Sequence, residues 1–71
     1  MFIKRIRDLR EDNDLTQTEL GKILHISQRT YSHYENGTRD IPIEILIKLA
    51  HYYNTSVDYI LGETNTRKPY K

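Results

Sequence analysis

Cysteine is absent from this 71-residue chain, and that removes two classes of architecture at once. No disulfide framework can hold it, and no thiolate can bind a metal. Nothing in it asks for an oxidising compartment, so a cytoplasmic location is expected. No apolar run approaches the ~20 residues that span a bilayer, and no membrane partner is expected. Lys4 and Arg5 follow the opening Met1, Phe2 and Ile3 directly, so the start does not read as a signal peptide. An excess of one charge is missing too: 11 Lys and Arg stand against 10 Asp and Glu, a net +1. Composition alone therefore announces no nucleic-acid partner; only the placement of charge on the surface can. The length allows one domain, near the size below which an apolar core needs a metal or a disulfide.

The usual catalytic signatures are lacking as well. There is no glycine-rich phosphate loop and no Gly-x-Ser-x-Gly elbow. His25, His33 and His51 show no metal-ligand spacing. Glu11, Asp12 and Asp14 cluster, but a hydrolytic carboxylate pair needs a cleft between its members, which so small a bundle can hardly provide. They read as a solvated run. No enzyme activity, no cofactor and no metal is expected.

What is present is helical periodicity, cut into short pieces. Ile3, Ile6 and Leu9 recur every third residue among charges, the stripe of an amphipathic helix over residues 2–12. Asn13 suits the left-handed position that closes it. Thr16 and Glu19 frame a capping box, and Leu20, Ile23 and Leu24 give the next helix its apolar face. Ser27 caps a third helix to Asn36, stopped by Gly37. Pro42 suits a first helical position, opening a fourth helix to about Tyr53. Asn54, Thr55 and Ser56 end that helix and cap a last one over residues 57–61, closed by Gly62. Residues 63–71 are polar and aperiodic and read as a frayed, disordered tail. With no strand signal and no repeat, the fold class is all-α, a compact five-helix bundle over residues 1–62.

The second and third helices, joined by a turn of about three residues, make a helix-turn-helix if the third presents a polar face. On a wheel of about 100° per residue, Ile26, Tyr31 and Tyr34 turn inward. Gln28, Arg29, Ser32, His33 and Asn36 gather on the other side with no carboxylate among them. An amide can read adenine and a guanidinium can read guanine through paired atoms in the major groove. An ordinary wet face would mix in Glu and Lys. A protein-binding face would carry aromatic or aliphatic anchors, and a purely structural bundle would leave the Gln17 and Gln28 pair unexplained.

In this order and spacing, several segments resemble the Cro/CI phage-repressor type of helix-turn-helix regulator. They are residues 15–20 (Leu15, Thr16, Gln17, Thr18, Glu19, Leu20), Ser27 with Gln28, residues 34–37 (Tyr34, Glu35, Asn36, Gly37), Leu49 with Ala50, and residues 56–62 from Ser56 to Gly62. The likeness covers residues 3–62 and implies the lambda-repressor-like bundle. It further implies sequence-specific binding of double-stranded DNA and repressor-like regulation of transcription. Gln28, Arg29, Ser32 and His33 would contact bases, Gln28 being braced by the Gln17 amide. Gln17, Asn36, Thr38 and Arg39 would hold the sugar-phosphate backbone. Arg10 and Glu35 would pair, tying the first helix to the third. Two positions depart from the pattern. His25 stands where the turn often has glycine, so a positive φ is expected there. Tyr31 stands where a β-branched residue is usual, so its hydroxyl is expected to reach the surface.

The resemblance also implies a homodimer, at least on DNA, in which the last helices pair and the operator is near-palindromic. On the fourth helix Leu46, Leu49, Ala50 and Tyr53, flanked by Ile43 and Ile47, read as the core stripe. Ile45 and Tyr52 fall outside it. Val57, Ile60 and Leu61 read as inward on the last helix, leaving Tyr59 outside. Ile45, Tyr52 and Tyr59 are thus the expected dimer face. No appended domain is seen that could sense a small molecule, so no effector is expected. An antitoxin or other protein-interaction module on the same fold is the alternative.

Overall fold

The computed structural model describes residues 2–68, which form five helices and no strand. They are α1 (Lys4–Asp12), α2 (Gln17–Leu24), α3 (Gln28–Asn36), α4 (Ile43–Tyr52) and α5 (Val57–Leu61). Each is too short to be stable alone in water, so packing must supply the stability. Ile3, Ile6 and Leu9 meet Leu20, Leu24, Tyr31, Leu46, Leu49 and Ile60 in one buried cluster. The charged side of α1 carries Lys4–Asp8 and Arg7–Glu11 pairs one turn apart, at 2.8 and 3.6 Å. Both are exposed and contribute a few tenths of a kcal/mol.

All five helices end the same way. A residue in the left-handed region follows each: Asp14, His25, Gly37, Asn54 and Gly62. The next N–H reaches back across the turn, as from Leu15 to the Arg10 carbonyl at 3.1 Å and from Thr55 to the Ala50 carbonyl at 2.8 Å. This is the Schellman closure, which satisfies carbonyls that a helix end otherwise leaves bare. The left-handed residue after α1 is Asp14 (φ 55°), not Asn13. Asn13 keeps φ −99° because its side-chain amide already closes the helix on the Leu9 carbonyl at 2.8 Å. Pro42 sits one residue earlier than expected, as the extended cap before Ile43.

The buried side of α4 also differs from expectation. Ile45 is buried, 8% exposed, while Ile43 and Ile47 stand out at 55% and 42%. The helix packs against both α2 and α5, so two adjacent rows, Ile45 with Leu49 and Leu46 with Ala50, share the burial. The wheel alone placed that arc one shoulder too far round. On α5, Ile60 is buried, Val57 is half-buried, and Leu61 is exposed rather than inward.

The segment read as a frayed tail has neither helix nor strand over residues 63–68, and its last three residues lie outside the described ones. Residues 64–67 nonetheless have partners. Arg5 donates to the carbonyls of Tyr59 and Thr64, both at 2.7 Å, and to Asn65 Oδ1 at 2.9 Å. Thr55 Oγ1 donates to the Arg67 carbonyl at 2.6 Å. A guanidinium with five donors in a fixed fork can hold several carbonyls at once, and here it draws the chain back along α5.

Candidate nucleic-acid interface

The geometry of the interface begins with the start of α2. Thr16 Oγ1 accepts from the Glu19 N–H at 3.1 Å, and Glu19 Oε1 accepts from the Thr16 N–H at 2.9 Å. The box expected from sequence is formed. The Thr16 backbone N–H, and then its side chain, hold the Glu19 carboxyl below its ordinary range. At the other end of α2 the chain must turn within a few residues, and His25 takes φ 59°, ψ 39°. Gly21 makes that turn possible. A Cβ there would stand 2.9 Å from the Ile26 carbonyl oxygen and 3.1 Å from the Gln28 nitrogen, so only a hydrogen fits. Sequence reasoning overlooked Gly21, although a lone glycine inside a helical pattern is a signal of close packing.

Ser27 then caps α3, its Oγ accepting from the Thr30 N–H at 3.0 Å. Tyr31 and Glu35, one turn apart, are the buried residues of α3. They fix its rotation, and the opposite face follows from that. Gln28, Arg29 and Asn36 are exposed there, with Ser32 and His33 half-exposed. Thr38 and Arg39, both exposed, continue the same end of the helix into the loop. Gln17 lies half-buried at the start of α2.

A chain of polar contacts runs from α1 to this face. Arg10 donates from Nε to Glu35 Oε2 and from Nη2 to Oε1, both at 2.9 Å, and from Nη1 to the Leu15 carbonyl at 2.8 Å. The Glu35 side chain is 4% exposed and that of Arg10 14%, so the expected pair is buried and bidentate. Gln17 Nε2 donates to Glu35 Oε1 at 3.3 Å, and its Oε1 accepts from Gln28 Nε2 at 2.8 Å. Burial pushes the Glu35 carboxyl up, but Arg10 first, then the nearby Tyr31 hydroxyl and the Gln17 amide, hold it below the usual carboxylate range. Its hydrogen bond to Glu35 raises Arg10 in turn.

Tyr31 corrects a further expectation. Its hydroxyl is buried beside Glu35, without a hydrogen-bond partner of good geometry among the described residues, rather than wet. Desolvation first, then the Glu35 carboxylate, push that phenol far up. At the far end of α3, His33 Nδ1 lies 2.8 Å from Thr38 Oγ1, and Asn36 Nδ2 donates to Ser32 Oγ at 3.4 Å.

The residues expected to pair two copies are not brought together as a set. Ile45 belongs to the core, for the reason given above, and cannot serve. Tyr52 is 47% exposed and meets Tyr53 edge to face at 5.3 Å. Tyr59 is half-buried, with the Arg5 guanidinium 4.2 Å from its ring centre and that of Arg67 at 5.9 Å. Among the described residues no group of three or more His, Asp or Glu could hold a metal. None of the described helices is long and apolar enough to cross a membrane.

Residues 6–60 match the family described as "Helix-turn-helix". The chain is 38% identical over 69 residues to the HTH-type transcriptional regulator YobD of Bacillus subtilis (strain 168), covering 97% of this chain and 62% of that protein. It is likewise 38% identical over 69 residues to the antitoxin PezA of Streptococcus pneumoniae, covering 97% of this chain and 44% of the relative. The chain thus spans less than two thirds of the length of either. Among solved structures it is similar to the P22 c2 repressor in complex with a synthetic operator. The TM-score is 0.76 at 30% identity, over 86% of this chain and 92% of that one.

Proposed function

The chain belongs to the helix-turn-helix family, and on that premise we propose that it binds double-stranded DNA sequence-specifically as a repressor-like transcriptional regulator. The family is one of DNA-binding regulators and not of enzymes. In this reading α3 lies in the major groove, where Gln28, Arg29, Ser32 and His33 meet base edges. Gln17, Asn36 and Arg39 line the sugar-phosphate backbone, setting register while the base contacts set sequence; Thr38, expected to join them, is turned to His33 instead. The observation that carries the reading is the Gln28 amide, held by Gln17 at 2.8 Å on an exposed face. A side chain oriented before binding loses less freedom when it binds.

The protein acts as a homodimer on a near-palindromic operator whose half-sites lie about 34–36 Å apart. Tyr52 and Tyr59 are the residues proposed to face the second copy. A cytoplasmic location fits such a role. The antitoxin among the relatives keeps a protein partner in view, but α3 presents no apolar anchor for one. Gln28→Ala tests the reading. Affinity for the preferred duplex should fall by about 1–3 kcal/mol, with relaxed choice at one base pair and unchanged helical circular dichroism. Equal loss on preferred and random duplexes would remove Gln28 from base recognition.

A further inference from the structure

A threonine hydroxyl carries one proton, and a neutral imidazole carries one on either of its two nitrogens. Thr38 Oγ1 lies 2.8 Å from His33 Nδ1 and 3.3 Å from the His33 carbonyl oxygen. The carbonyl can only accept. Both contacts are hydrogen bonds together in one arrangement: the hydroxyl donates to the carbonyl, and Nδ1–H donates to the hydroxyl oxygen. With the proton on Nε2 instead, the hydroxyl would turn to Nδ1 and abandon the carbonyl. The backbone keeps Thr38 in place, since its N–H also donates to the His33 carbonyl at 3.0 Å, closing α3 behind left-handed Gly37. Both donors of Thr38 are therefore directed at His33 and neither at a phosphate. Nδ1 is the ring nitrogen turned toward Thr38, and the His33 side chain is half-exposed on the outward face of α3.

We propose that Thr38 is a positioning residue that holds His33 as its Nδ1–H tautomer, so that Nε2 acts in the groove as an acceptor and selects a base presenting an amino group. Such groups are adenine N6 and cytosine N4. The opposite tautomer, the commoner one in water, would offer an N–H and favour guanine N7 or O6 or thymine O4. The base assignment rests on the DNA-binding reading above; the tautomer does not.

The experiment separates the two. Long-range proton–nitrogen NMR on the DNA-free protein, at about pH 8 where an ordinary imidazole is neutral, should show His33 Nδ1 protonated and Nε2 bare. Thr38→Val should move the proton to Nε2, and Thr38→Ser should restore the original state. Duplexes selected by the wild type should present an amino group at the position where His33→Ala loses its preference. Replacing that amino group by hydrogen should cost the wild type about fivefold in affinity, the worth of one hydrogen bond, and cost Thr38→Val nothing. A bare Nδ1 in the wild type would overturn the tautomer. Equal weakening of Thr38→Val on every duplex would make Thr38 a phosphate contact and overturn the positioning role. A wild type with the stated tautomer that binds no duplex would overturn the DNA-binding reading and the base assignment with it.

Discussion

The two halves of this small bundle are held together by different kinds of force. Where α1 meets the α2–turn–α3 unit, directional ties are added to the apolar core: a bidentate ion pair from Arg10 to Glu35, continued by two amides in series. Where α4 meets α5, the ties are apolar, and apolar side chains remain in excess. Ile43, Ile47, Tyr52 and Leu61 stay exposed on the two helices. Directional bonds favour one orientation of α3, and a reading helix must be held within about 0.5 Å of its productive geometry. Apolar contacts are tolerant of small shifts and leave a surface to which a second molecule could be added.

The sharpest way to break that contrast is to strand a charge in the directional half. Glu35→Ala leaves Arg10, largely shielded from solvent at 14% exposure, without its carboxylate, and should cost about 3–5 kcal/mol. At ~4–8 °C per kcal/mol for a domain of this size, the melting temperature should fall by more than about 12 °C. Replacing both partners, Arg10→Met with Glu35→Leu, should recover most of that stability while loosening the hold on Gln17. An unchanged melting point in Glu35→Ala would mean that the directional half is not held by its ion pair.

Gly21→Ala comes next. The added methyl would press on backbone, not on a side chain that can swing away. We expect a loss of about 1–3 kcal/mol from overpacking, partly offset by the ~1 kcal/mol that alanine gains over glycine inside a helix. Thermal melts report the loss, and DNA binding should weaken with it because α3 is displaced.

Acid should find the same half first. The Glu35 carboxyl is held below its unfolded value, so its contribution is complete above about pH 4.3 and is lost as pH falls through the folded value. The wild type should therefore lose melting temperature on the acid side, and Glu35→Gln should lose less over the same range. Parallel curves for the two proteins would remove Glu35 from the acid response.

Smaller effects are expected where strain or surface alone is involved. His25→Gly relieves a left-handed residue that has a Cβ and should stabilise by about 0.5–1 kcal/mol. Tyr52→Glu lies on the tolerant half. It should change the monomer by no more than about 0.5 kcal/mol, yet weaken the second copy's binding to a full operator in sedimentation of the complex. Normal two-copy assembly by this variant would take Tyr52 out of the proposed interface.

Much of this was written locally in the chain. Thr16 with Glu19, Ser27 and Gly37 specify helix starts and stops through hydrogen bonds that reach only a few residues, so the number and order of helices can be read without knowing what packs on what. The left-handed turn at His25 was expected from the resemblance, in which glycine often holds that position. The outward set from Gln28 to Asn36 needs only helical period, because a face lacking apolar residues has one place to go. Resemblance to a known family, rather than spacing, pointed to the Arg10–Glu35 pair and to the Gln17 brace.

Tertiary structure decided the rest. Whether Ile45 or Ile47 is buried depends on where α2 and α5 both press on α4, and period alone gives an apolar arc without its centre. The Tyr31 hydroxyl is buried beside Glu35, its neighbour one turn along α3, where α1 brings Arg10 across to pair with that carboxylate, and the arrival of α1 is a long-range event invisible in the neighbouring sequence. Gly21 is required because the turn folds back to within 3 Å of where its Cβ would be. Arg5 holds residues 64 and 65 from the opposite end of the chain. Short-range hydrogen bonding and period determine the elements; contacts between residues far apart in sequence determine which shoulder of each element is covered and what covers it.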